Sequence, residues 1–171
     1  LAWDSGATPA IVLTKADLVD DAATRALDAE VAFGVDAHAV SARAGEGMAT
    51  IAALARPDRT LVLVGESGAG KSTLVNALVG TKVAIVSDKP QTTRRRVLGM
   101  LNLPDGQIVF VDTPGLHRPL HRLNRAMLDE AMEAILDVDV VVLVIDVAER
   151  EGAGDRHALE LVAKASSPRI C

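Results

Sequence analysis

Apolar residues fall along this chain in two rhythms that alternate from one end to the other. Short apolar or β-branched runs stand at 10–14, 60–64 and 139–146, with a weaker one at 36–41. Runs of that length between polar or glycine positions predict strands buried on both faces. Between them, apolar residues recur at helical spacing over 20–31, 47–54, 71–79 and 154–165. The same spacing runs through Met127, Leu128, Ala131, Met132 and Ile135, which predicts an amphipathic helix over 124–136. The stretches 97–103 and 107–112 flank Pro104-Asp105-Gly106, a turn signal, and predict a hairpin. The segment 81–95 is polar and has no clear period. The alternation predicts an α/β fold in three layers: a mostly parallel sheet, helices on both faces, and one antiparallel strand. In such sheets ligands bind beyond the carboxyl ends of the strands. The residues just after each strand are therefore where chemistry is to be sought.

After the strand at 60–64 comes Gly65-Glu66-Ser67-Gly68-Ala69-Gly70-Lys71-Ser72, which opens a predicted helix. This is the G-x-x-x-x-G-K-[ST] pattern in the context its mechanism requires. Glycines let backbone N–H groups converge on phosphate oxygens. The N–H groups along Gly65, Ser67, Gly68, Ala69, Gly70 and Lys71 supply the cradle, with Ser72 and Thr73 continuing it onto the helix. Lys71 can reach the β- and γ-phosphates, and Ser72 can hold Mg2+. The bland alternative is a glycine-rich turn with an incidental lysine. The pattern does not by itself separate GTPases from ATPases or kinases.

Three further strand ends carry polar motifs. Asp112-Thr113-Pro114-Gly115 ends the strand at 107–112. Asp112 can hold the water shell of Mg2+, and Gly115 can bring its N–H to a γ-phosphate because glycine permits close approach. A plain turn is the alternative. Thr14-Lys15-Ala16-Asp17 also ends a strand. A carboxylate at Asp17 can accept two parallel bonds from guanine N1–H and the 2-amino group, which adenine does not offer. The Lys15 stem can cover the base face. The alternative is that Asp17 caps a helix. Ser41-Ala42-Arg43 follows the weak strand, and the Ala42 N–H could bond guanine O6.

Composition narrows the classes. The chain has 171 residues, one ordinary domain's length, with 49% hydrophobic and 24% charged residues, which excludes disorder. The run 140–145 is the longest apolar stretch, too short to span a membrane. The net charge of −5 gives no bulk footprint for nucleic acid. Aromatic residues make up 2% (Trp3, Phe33 and Phe110), which argues against a site built on stacked aromatics, such as a single-strand nucleic-acid platform. Cys171 is the single cysteine, which excludes a disulfide framework or a cysteine metal site. With no leader pattern, a cytoplasmic location is expected.

Taken together, the motifs resemble the translation-factor class of GTPases, in an unusual order. The base motifs precede the phosphate loop and the Asp112 motif comes last, as in circularly permuted GTPases. Residues 5–18, 40–47 and 60–74 resemble the permuted GTPases that depend on the small ribosomal subunit, the RsgA or YjeQ family. Residues 82–94, 107–119 and 137–146 resemble the ribosome-associated Era family. The resemblance implies one permuted GTP-binding domain over 1–171, with a base-binding half at 1–59 and a phosphate, Mg2+ and switch half at 60–171. It implies slow GTP hydrolysis, with Lys71, Thr93 and Gly115 at the reacting phosphate and Ser72, Thr93 and Asp112 around Mg2+. Thr93 takes its role from the Pro90-Gln91-Thr92-Thr93-Arg94 match, with Thr92 as fallback. Thr14 stands where many GTPases have an Asn that ties the base site to the phosphate loop, and Gly68 stands where Era-like proteins carry an Asn linked to potassium. Leu116 stands where Ras-like proteins place a water-orienting Gln. A link to the small ribosomal subunit or its RNA follows from resemblance alone. The RNA-binding domains of those relatives have no counterpart motif here.

Two rival readings stand beside this one. One is a P-loop ATPase or small-molecule kinase; the other is a nucleotide-binding hybrid or fragment without hydrolysis. Residues 7–11 and 166–170 look like the same segment twice, and a permuted domain has room for one. The first copy is expected in the sheet and the second outside it.

Overall fold

A computed structural model describes residues 6–86, 96–115, 133–136 and 138–149. In chain order these form β1 (Thr8–Thr14), a 3-10 turn (Ala16–Leu18), α1 (Ala22–Phe33), β2 (Ala37–Ala39) and α2 (Met48–Leu54). Then come β3 (Arg59–Gly65), α3 (Lys71–Val79), β4 (Val97–Leu103), β5 (Gly106–Asp112) and β6 (Val140–Asp146). Of the helix expected over 124–136, the described part is a helical turn at 133–135; the helix expected over 154–165 lies outside the described residues.

The six strands form one sheet in the order β2-β1-β6-β3-β5-β4. The pairs β1–β2, β1–β6, β3–β6 and β3–β5 are parallel. The hairpin β4–β5 is antiparallel, as its turn signal predicts. The central β6 has five consecutive buried residues, Val140 to Val144, because both sheet faces are covered. Alternation sorts them. Val141 and Leu143 join Ile11, Leu13, Val62, Val64 and the α1 alanines Ala22 and Ala26 on one face. Val140, Val142 and Val144 join Val12, Leu61, Leu63, Leu74 and Val75 on the other, under α2 and α3.

β1 is longer than the run at 10–14, since it starts before Pro9. A proline inside a strand costs a ladder bond only if its missing N–H faces a partner. The Ile11 N–H donates to Asp36 O on the β2 side, so residue 9, two positions earlier, faces that side too. β2 pairs only with residues 11–13, and Pro9 therefore forfeits nothing. On the opposite side the Thr8 N–H donates to Asp139 O and seats β1 on β6 along its length.

Because β1, β2, β3, β5 and β6 run the same way, their carboxyl ends share one edge. Thr14, Gly65, Asp112 and Asp146 are the last residues of four of these strands, and Ser41 follows the fifth. The sheet thus gathers motifs from 14 to 146 in one row.

Candidate functional site

The phosphate loop is built by a backbone that only glycine could supply at two places. At Gly65 φ is +150°, and a Cβ there would lie 2.1 Å from Val144 O on the neighbouring strand. At Gly115 a Cβ would lie within 2.7 Å of the Ser67 backbone. The Asp112-to-Gly115 turn is therefore pressed directly against the loop. α3 starts at Lys71 without a side-chain cap, so its first N–H groups face the loop unblocked by its own N-cap. Gly68 is exposed, Ala69 is buried, and Ser67, Ser72 and Thr73 are partly buried.

Lys71 is buried, and its ammonium donates to Gly65 O at 2.9 Å and Glu66 O at 2.8 Å. Burial lowers its pKa from 10.5 to about 8, against the opposing pull of the Asp112 and Glu66 carboxylates. The ammonium is thus held by the carbonyls of its own loop. Ser72 Oγ donates to Asp112 Oδ2 at 2.5 Å, and Asp112 is fully buried. A hydroxyl and a carboxylate oxygen at the mouth of an anion cradle are the hard donors a Mg2+ ion takes. Among the described residues no group of three His, Cys, Asp or Glu could form a different metal centre. Thr93 lies outside the described residues.

Thr113 was not singled out in the sequence, where it reads as part of a turn. It is buried, and its hydroxyl donates to Leu63 O at 2.7 Å, which locks the Asp112 turn to β3.

At the base end, Thr14 Oγ1 lies 2.6 Å from Ala69 O and 3.1 Å from Ile145 O. A hydroxyl has one proton, and the shorter bond ties β1 to the phosphate loop. Lys15 adopts the left-handed conformation, φ 59°, and its ammonium pairs with Asp146 Oδ2 at the end of β6. Asp146 escaped sequence reading because a strand-final Asp carries no motif by itself. Asp17 is exposed on the 3-10 turn. It does not cap α1, whose N-cap position is Asp21. Ser41 is buried, its Oγ accepts from the Ala44 N–H at 3.1 Å, and it bridges Glu46; Ala42 beside it is partly buried. The Ala16 N–H donates to Val40 O at 3.1 Å and draws the two base motifs together.

Sheet order, phosphate loop and Asp112 turn define an α/β P-loop GTPase fold. The sequence profile of the 50S ribosome-binding GTPases matches residues 60–171, and the chain belongs to that family. The GTPase Era of Heliobacterium modesticaldum is 44% identical over 106 residues, which is 62% of this chain and 36% of that protein. Two solved structures align at 38% identity and TM-score 0.58. One is Era in complex with MgGDPNP and nucleotides 1506–1542 of 16S ribosomal RNA, covering 63% of this chain and 37% of that one. The other is an Aquifex aeolicus Era variant bound to GDP and AlF4, covering 64% and 37%. The chain spans little more than a third of the length of the curated relatives it matches. Residues 1–59, with Thr14, Lys15, Asp17, Ser41 and Ala42, lie outside the family match.

Proposed function

We propose that residues 1–171 form one circularly permuted G domain that binds GTP and GDP with Mg2+ and hydrolyses GTP slowly. The observation that carries this reading is the bond from Thr14 Oγ1 to Ala69 O. It joins the segment outside the family match to the phosphate loop inside it, in the manner a base-reading strand requires. In this reading Asp17 selects guanine and Ala42 N–H meets O6. Lys71 and the loop N–H groups hold the phosphates, and Gly115 N–H meets the γ-phosphate. Ser72 and Thr93 would hold Mg2+ and Asp112 its water shell; the bound ion would supply neutralisation of phosphate charge. The acceptor is water, and Lys71 with the backbone donors stabilises the charge that develops on the transferred group. Leu116 follows Gly115 and cannot orient a water, so turnover is on the order of 10⁻⁴ to 10⁻² s⁻¹. The second copy of the strand segment, at 166–170, lies outside the described residues.

The similarity to Era supports a place in small-subunit ribosome assembly, since the RNA held in the Era complex is 16S. The family description names the 50S particle instead. The Era relatives, at 42–44% identity to this chain, favour the small subunit. No described helix is long and apolar enough to cross a membrane, and a cytoplasmic location fits this role. The test is a titration with GDP, GTP and ATP with and without Mg2+. Guanine preference is expected; equal affinity for ATP would overturn the reading in favour of a P-loop ATPase.

A further inference from the structure

We propose that Asp146 is a positioning residue for the base end of the site. It fixes Lys15 so that the lysine stem forms one wall against the guanine face. The inference rests on the guanine reading above and names a residue that reading does not use.

Asp146 is nearly buried, at 9% exposure, while Lys15 is 38% exposed. The carboxylate is itself held from two directions. Its Oδ1 accepts from the Ala148 N–H at 3.0 Å, and Oδ2 takes the Lys15 ammonium. The backbone around it is fixed as well, since Asp146 is in register with Thr14 and the Val147 N–H donates to Thr14 O at 3.1 Å. Lys15 needs such an anchor. With a side chain at φ 59° it occupies a conformation that L-residues adopt at a cost. That conformation turns the chain sharply after β1. The Leu18 N–H then closes on Lys15 O at 3.0 Å, which forms the 3-10 turn that carries Asp17. The ammonium is thereby directed back over the strand ends instead of out into solvent. Asp146 thus sets the lie of the stem and supports the turn that presents the guanine-reading carboxylate. The pair also spans the family boundary, with Lys15 outside the matched span and Asp146 within it.

The test is a double-mutant cycle on the full chain, read by GDP and ADP affinity together with the melting temperature of each ligand-free variant. D146N keeps an acceptor for the Ala148 N–H and removes the charge. K15M keeps the stem and removes the ammonium. Each is expected to weaken GDP about tenfold and to narrow the preference for GDP over ADP. The double variant is expected to be no worse than either single one. D146E, which restores the charge, is expected to recover most of the GDP affinity. Unchanged GDP affinity in D146N, or losses that simply multiply in the double variant, would overturn the proposal. So would an equal loss for GDP and ADP, which is what mere destabilisation gives. Should D146N melt below the assay temperature, K15R is compared with K15M in the presence of native Asp146. Retained affinity in K15R alone supports the role, and equal affinities overturn it. A wild type that shows no guanine preference would defeat the functional reading before the cycle is reached, so the two failures are distinct.

Discussion

At the phosphate end of the site, Lys71, Asp112 and Thr113 are buried, and each already meets a protein partner. At the base end, Asp17 is exposed and Ala42 partly so. The phosphate end lies within the family match, whereas Thr14, Lys15, Asp17, Ser41 and Ala42 lie outside it. The difference follows from what each end must do. Phosphate charge is best held by donors that the fold positions in advance, which leaves little reorganisation when the ligand arrives, chiefly the turn of Lys71 from its loop carbonyls. A base is read by differential pairing, and the reader's carboxylate is best left solvated until guanine supplies its donors. Thr14 Oγ1 to Ala69 O is the bond through which one end bears on the other.

Removing the phosphate end's only buried ammonium in the described residues is expected to have the largest effect. Lys71→Met should lower affinity for GDP, GTP and ATP alike by about 100-fold or more, the usual scale for loss of a desolvated charge partner. Equal loss across bases is the signature of a phosphate contact. A loss confined to guanine nucleotides, measured in the same titration, would break the division of labour between the two ends.

The base end should respond in the opposite way. Asp17→Asn replaces an acceptor with a donor facing the guanine 2-amino group. GDP affinity is expected to fall about 10- to 100-fold, from the cost of leaving polar groups unpaired. Xanthosine diphosphate, which offers an acceptor at the altered position, is expected to gain. Competition between the two diphosphates checks both directions at once, and unchanged GDP affinity would remove Asp17 from the site.

How much of this was legible without coordinates differs between the ends for physical reasons. The strands were legible because two-sided burial demands continuous apolar runs, as at 140–144. The phosphate loop was legible because its backbone geometry demands glycines at fixed spacing, as Gly65 illustrates. The apolar run at 10–14 stops short of Thr8, where β1 begins, and Pro9 fits within the strand because β2 is too short to miss its N–H. Thr113 and Asp146 were hidden because their partners, Leu63 O and the Lys15 ammonium, are 50 and 131 positions away in sequence. Contacts of that kind exist only after the sheet has assembled.

The tether between the ends should matter less than either end. Thr14→Val is nearly isosteric and leaves Ala69 O without the hydroxyl proton. Stability is expected to fall by about 1–3 kcal/mol, the cost of one buried unsatisfied acceptor. GDP affinity is expected to fall several-fold. If thermal melts drop while affinity holds, the bond is structural only and the two ends work independently.

The smallest effect is one of pH, and its sign separates folding from binding. Burial holds the Lys71 pKa at about 8 in the folded, ligand-free chain, against 10.5 for an ordinary lysine. Between those values the unfolded chain carries more protons than the folded one. Ligand-free stability therefore rises with pH across that window and lacks this contribution below it. Binding runs the other way. Phosphate oxygens favour the ammonium, so nucleotide affinity requires a protonated Lys71 and declines once pH passes 8. If only the protonated form binds, affinity falls about fourfold between pH 7 and pH 8.5. A proton is then taken up on binding at the upper end, visible calorimetrically as a heat that varies with the buffer's ionisation enthalpy. Lys71→Met should lack both the rise in stability and the proton uptake. Affinity that stays flat from pH 7 to 8.5, with no buffer dependence, would mean that Lys71 does not turn from its own loop carbonyls to the ligand.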